Sequence, residues 1–145
     1  QITAYYRDVT HGLLRPTASQ RRVSVDYHAA TLLVESTEQL SFTAQVSQAI
    51  TEILASRVPR QDDVAQHCAL SLRTLQRRLQ EAGSSYQQLL DEVRFVQAKT
   101  QLSSTQKPLH SIAEQLGFIE PRSFFRFFKA RAGLTPGQYR KRHQT

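Results

Sequence analysis

From Ser41 onward, apolar residues recur at spacings of three and four, the period of helices that bury one face. Phe42, Val46, Ala49, Ile50, Ile53 and Leu54 form one stripe, with Gln45, Gln48 and Glu52 away from it. That predicts an amphipathic helix over Ser41–Arg57, with Ser41 as N-cap and Pro59 as its stop. Asp62 and Asp63 favour the start of a short helix whose Val64 and Ala65 pack inward. Cys68-Ala69-Leu70 makes a turn, and Ser71 caps a helix in which Leu75 and Leu79 face the core and which Gly83 ends. Ser85–Leu102 places Tyr86, Leu89, Leu90, Val93, Val96 and Ala98 on more than one side, as a helix packed between two neighbours requires. Ser103–Pro108 breaks it. Ile112, Ala113 and Leu116 then give a new apolar face closed by Gly117, and Pro121 suits the first turn of the next helix. Phe124 and Phe128, four apart, face inward, Gly133 ends that helix, and Thr135-Pro136 starts the last one.

The same plan therefore occurs twice, about fifty residues apart: short helix, tight turn, second helix. Each second helix carries a polar face at i, i+3, i+4, i+7. In the first unit it is Arg73, Gln76, Arg77 and Gln80; in the second it is Arg122, Phe125, Arg126 and Lys129. A cation-faced second helix after a tight turn is the arrangement that enters a DNA major groove. The expected fold is all-α, with two helix-turn-helix units (40–84 and 107–145) joined by a long connecting helix (85–102).

Residues 1–39 read differently. Val23, Val25 and Tyr27 alternate with Arg22, Ser24 and Asp26, a strand pattern, and Leu32–Val34 is a short apolar run. Gly12 and Pro16 interrupt what precedes. This stretch is either the end of a truncated regulatory domain or a linker folded back on the helices; the opening Gln fits a fragment or processed product.

Charge divides the chain at the same place. The net charge of +7 lies entirely in residues 40–145, because Arg7, Arg15, Arg21 and Arg22 are balanced by Asp8, Asp26, Glu35 and Glu38. A basic domain beside a neutral segment points to a polyanionic partner, although solubility charge alone gives the same total. The apolar share is 39%, below the usual ~45–50% that also counts Gly, so the core should be modest. No apolar run approaches the ~18 residues of a membrane span. The single cysteine, Cys68, rules out an internal disulfide framework and fits a reducing cytoplasm.

Between residues 112 and 140 the chain resembles the C-terminal signature of the AraC/XylS family of bacterial transcription regulators. The matching residues are Ile112, Ala113, Leu116, Gly117, Phe118, Phe124, Arg126, Phe128, Lys129, Gly133, Pro136, Tyr139 and Arg140. Leu72–Leu79 resembles the first recognition helix of the same family, so the resemblance covers 40–145, the family's whole DNA-binding domain. It implies promoter binding beside RNA polymerase, usually as an activator. It also implies a separate N-terminal domain that binds a small-molecule effector or dimerises. Two positions depart from the pattern: Ile119 replaces a usual capping Ser or Asp, and Phe125 stands where a small or polar residue is usual.

These observations assign roles. Arg grips guanine O6 and N7 with two parallel N–H donors, and Gln pairs with adenine N6 and N7. Base reading falls to Arg73, Gln76 and Arg77 in the first unit, which match the family's reading positions, and to Arg122, Ser123 and Arg126 in the second. Arg78, Lys129, Arg131, Lys141 and Arg142 read as phosphate contacts, with Arg60 and Lys107 in the same capacity from loops. Each is alternatively a plain surface charge. Phe125 either touches a thymine methyl or packs on the stems of Arg122 and Lys129. His11, His28, His67, His110 and His143 are scattered, and Cys68 has no metal-ligand spacing around it, so no catalytic, metal or cofactor site is expected. The expected function is sequence-specific binding of duplex promoter DNA by helices 72–82 and 121–132. The DNA-binding domain should act as a monomer, and any full-length dimer should depend on the preceding region. A protein-interaction module that keeps the fold, and an RNA-binding protein, are the alternatives.

Overall fold

The computed structural model describes residues 18–144, which are helical wherever they form regular structure. Seven helices run along the described residues: α1 (Ala18–Leu54), α2 (Gln61–His67), α3 (Leu72–Glu81), α4 (Tyr86–Ser104), α5 (Leu109–Gln115), α6 (Pro121–Ala132) and α7 (Pro136–His143). The chain divides into two compact units, Gln1–Phe42 and Thr43–Thr145.

The N-terminal helix corrects two expectations. The alternation around Val23–Tyr27 is helical backbone, not a strand, and Ser41 lies inside α1 rather than at its start. The cause is the lack of a breaker: no Gly or Pro occurs between Thr17 and Val58. Once nucleated, a helix gains a hydrogen bond for each residue added, and a five-residue alternation does not stop it. The interruption expected at Gly12 and Pro16 lies outside the described residues. The stripe over the last three turns of α1 is present, with Val46, Ala49, Ile50 and Leu54 buried. Ile53 is only half-buried.

Within Thr43–Thr145, α2 packs on α3 and α5 on α6, while α4 packs on both α6 and α7. The core is Val64, Ala65, Leu75 and Leu79 in the first unit, and Ile112, Ala113, Leu116, Phe124 and Phe128 in the second. Leu89, Leu90, Val93, Ala98 and Leu102 of α4 are buried as well. Val96, expected on an inner face, is instead 54% exposed. Phe124 and Phe128 have no exposed surface, and Phe128 meets Phe95 of α4 and Tyr139 of α7 at centroid distances of 5.3 Å each. Burying one such ring contributes about 1.5–3 kcal/mol, so this aromatic cluster holds α4, α6 and α7 together.

The ends of α4 are tied by distant residues. At its start the Tyr86 hydroxyl donates to the Pro59 carbonyl at 2.8 Å. At its end, Arg140 Nη2 and Gln144 Nε2 donate to the Thr105 carbonyl at 3.2 and 2.6 Å, and Gln144 also donates to the Leu102 carbonyl at 2.8 Å. The last carbonyls of a helix have no partner within it. Here α7 and the residue after it supply the donors.

Candidate nucleic-acid interface

The two helix-turn-helix units are built on the same local chemistry. In the first turn Ala69 takes φ 58°, its N–H donates to Gln66 O, and the Leu70 N–H donates to Ala65 O. In the second, Gly117 takes φ 91°, its N–H donates to Glu114 O, and Phe118 N–H donates to Ala113 O. Glycine is required at 117 for a further reason. A Cβ there would stand 2.6 Å from Val58 Cγ2, so its absence lets the loop after α1 seat against the second turn.

The turns then differ by one residue. Three steps carry the chain from Ala69 to the first residue of α3, and four carry it from Gly117 to the first residue of α6. The extra residue is Ile119, which stands 99% exposed. Ser71 accepts a hydrogen bond from the Thr74 N–H and caps α3, a contact worth about 1 kcal/mol. The N-cap of α6 is Glu120, one position later than expected, and it makes no side-chain cap bond. Pro121 at the first helical position offsets part of that lack, because its ring presets the helical φ.

Counting from the buried pair of each second helix (Leu75 and Leu79, Phe124 and Phe128) puts the two helices in register. Arg73 then corresponds to Arg122, Gln76 to Phe125, Arg77 to Arg126 and Gln80 to Lys129. All eight are exposed and lie on the face away from the core. Ser123 is half-buried at the edge of that face. On α3, Gln76 Nε2 donates to Gln61 Oε1 at the start of α2, 3.1 Å away, and Arg77 lies 3.7 Å from Glu81. A bonded amide is a better reader than a mobile one, since less side-chain freedom is lost on contact.

The cations assigned to phosphates are all exposed, Arg78, Lys129, Arg131, Lys141 and Arg142 as well as Arg60 and Lys107. Arg131 also has partners within the fold: its guanidinium lies 4.1 Å from the Phe127 ring centre and 3.5 Å from Asp91 of α4. Lys107 reaches Gln115 at 3.3 Å, and Arg60 donates its backbone N–H to Asp63 at 2.9 Å. The Arg57 guanidinium, 2.6 Å from Asp63, and that backbone N–H hold the Asp63 carboxyl below its ordinary range.

Arg94 is the residue that pattern reading missed. It is a largely buried arginine whose guanidinium lies 4.9 Å from the Phe118 ring centre and 3.6 Å from Asp91. Burial pushes its pKa down from the usual value. A charged residue inside a connecting helix gives no sequence signal of burial, except that it falls one turn after Leu90.

Among the described residues no group of three His, Cys, Asp or Glu side chains is placed to hold a metal ion, and no helix is long and apolar enough to cross a membrane. The Cys68 thiol is pushed up by burial, away from the ionised form.

Comparison with known proteins places this geometry. Residues 64–142, more than half the chain, match a family described as "Helix-turn-helix domain". The ornithine utilization regulator of Pseudomonas aeruginosa is 31% identical over 149 residues, covering 97% of this chain and 44% of that protein. The chain thus spans less than half the length of this curated relative. The C-terminal domain of AraT, a response regulator from Geobacillus stearothermophilus, is 30% identical with a TM-score of 0.59, covering 72% of this chain and 87% of that one. The DNA-binding domain of AdpA, solved in complex with a target DNA, is 27% identical with a TM-score of 0.58, covering 69% of this chain and 90% of that one.

Proposed function

Since the chain belongs to the AraC-type helix-turn-helix family, we propose that it binds duplex DNA sequence-specifically, as the DNA-binding part of a transcription regulator. One observation carries this reading: two second helices in matching register each present an exposed face with two arginines, Arg73 and Arg77 on α3 and Arg122 and Arg126 on α6. The connecting helix α4 packs on α6 and α7, and its Tyr86 hydroxyl donates to the Pro59 carbonyl just ahead of α2, so it is tied to both units, as a fixed pair of readers requires. Inserting both into successive major-groove segments needs a separation near one DNA turn, about 34 Å, and any shortfall bends the DNA. The AdpA domain, solved in complex with a target DNA, supports DNA binding here.

In this reading Arg73, Gln76 and Arg77 contact base edges in one segment, and Arg122, Ser123 and Arg126 in the next. Arg78, Lys129, Lys141 and Arg142 hold phosphates and set register. Arg131 is committed to Asp91 and Phe127, so we assign it to holding α6 on α4. Two readers on one chain make residues 40–145 a monomeric binder, with 1–39 as the link to, or end of, a preceding regulatory domain. The whole protein's action is that of a non-catalytic regulator on the bacterial nucleoid. It acts as an activator beside RNA polymerase, under an effector bound by the preceding domain.

Selection of duplexes from a random pool by the chain of residues 1–145, followed by gel shift with duplex and RNA competitors, tests the core of this reading. Enrichment of a site spanning two groove segments, competed by duplex and not by RNA, is expected. No enriched duplex, or better competition by RNA, overturns it.

A further inference from the structure

The second unit departs from the first at one reading position. Phe125 occupies on α6 the place that Gln76 occupies on α3, directly after the first buried residue and directly before an arginine. It is 36% exposed in the middle of a face otherwise made of Arg122, Arg126 and Lys129. The cations that lie over aromatic rings in this part of the fold are Arg94 on Phe118, Lys99 on Phe95 and Arg131 on Phe127. The aromatic neighbour of Phe125 is Phe124, at 6.1 Å between ring centres, and part of the Phe125 ring remains open to solvent. Two positions ahead of α6, Ile119 adds a second exposed apolar side chain at the end of the helix that leads into a groove.

An apolar ring held at a reading position has one apolar counterpart on the major-groove floor, the 5-methyl group of thymine. We propose that Phe125 makes the second unit read a thymine through that methyl, where the first unit reads a base edge by hydrogen bonds from Gln76. The proposal rests on the DNA-binding reading above. It divides the labour between the units: α3 selects by paired donors and acceptors, while α6 selects by its arginines and one methyl contact. Gln76 is oriented by Gln61, whereas Phe125 needs only shape, which suits a helix without a side-chain cap.

The test uses the chain of residues 1–145 and a duplex enriched by it from a random pool. Each thymine of that duplex is replaced in turn by deoxyuridine, which removes the methyl and leaves every hydrogen-bonding group. One position in the segment contacted by α6 should weaken binding by about fourfold, the effect of burying one methyl-sized group. Phe125→Ala should bind the thymine and deoxyuridine probes equally, and Phe125→Leu should keep part of the preference. Phe125 is half-covered, so folding of each variant is checked by circular dichroism; if Phe125→Ala unfolds, the wild-type scan and Phe125→Leu decide. A wild-type scan without a sensitive position, on a duplex that still binds, overturns the proposal and leaves this face to a protein partner. So does a methyl preference that survives in folded Phe125→Ala. Failure to enrich any duplex instead overturns the DNA-binding reading itself.

Discussion

The Arg94 guanidinium lies 4.9 Å from the centre of the Phe118 ring, and this contact fastens α4 to the turn of the second helix-turn-helix unit. The Arg94 Nε is buried without a hydrogen-bond partner, and Asp91 is shared between Arg94 and Arg131. The contribution of Arg94 is therefore mainly stem packing and the ring contact rather than a strong ion pair. Arg94→Ala should cost about 1–3 kcal/mol, whereas Arg94→Met, which keeps most of the volume, should recover most of that loss. Denaturant unfolding of both variants measures this. Equal losses would show that the charge, not the packing, holds the joint.

Tyr86 offers a test by pH. Burial pushes its hydroxyl up from 10.0 to about 12, so the fold favours the protonated form. The sign follows: the native state holds its proton where the unfolded chain has released it, so stability is full below pH 10 and falls as pH rises through 12. Tyr86→Phe should cost about 1 kcal/mol at neutral pH, through the lost bond to the Pro59 carbonyl. It should also remove this part of the alkaline decline. Unfolding midpoints of both proteins across that range provide the check, and parallel declines would remove Tyr86 from the account.

Gln61 should act as a positioning residue for Gln76. With the 3.1 Å bond removed, Gln61→Ala should leave the fold intact but flatten discrimination at the one base pair Gln76 reads, by up to the ~1–3 kcal/mol of a bidentate contact. Binding to single-base variants of the site separates this from general weakening. An even loss at all positions would assign Gln61 to ordinary surface packing.

Most of the domain was legible because its determinants are local. The Ser71 and Thr135 caps, the left-handed Gly117 and Gly133, and the pairs Leu75/Leu79 and Phe124/Phe128 each act within a few residues, and each is found in the expected role. What escaped the sequence depends on distant partners. The burial of Arg94 needs Phe118, the closure of α4 needs Arg140 and Gln144, and the seat of Val58 needs the missing side chain of Gly117. The extent of α1 follows from the lack of any breaker, a weaker signal than a short alternation. The cap of α6 falls at Glu120, one residue beyond Ile119, because the extra residue shows only when the two turns are aligned on their positive φ.

Electrostatics sets a further expectation. Each phosphate neutralised should contribute about −0.9 to the slope of log K against log salt. Arg142→Ala should reduce that slope by about one unit and weaken all sequences alike, since Arg142 is exposed at the basic end of α7. Titrations between roughly 50 and 200 mM salt measure it. An unchanged slope would remove Arg142 from the phosphate set.

The central claim is that two helices on one chain read two separate segments of one duplex. It is tested most directly by measuring Arg77→Ala and Arg126→Ala against every single-base variant of the selected site at fixed salt. Arg77→Ala should cost about 1–3 kcal/mol and relax choice at one base pair. Arg126→Ala should do the same at a different base pair about one helical turn away, with a smaller penalty because Glu120 leaves its helix without a side-chain cap. Losses spread evenly over all variants, or falling on the same base pair for both substitutions, would contradict it.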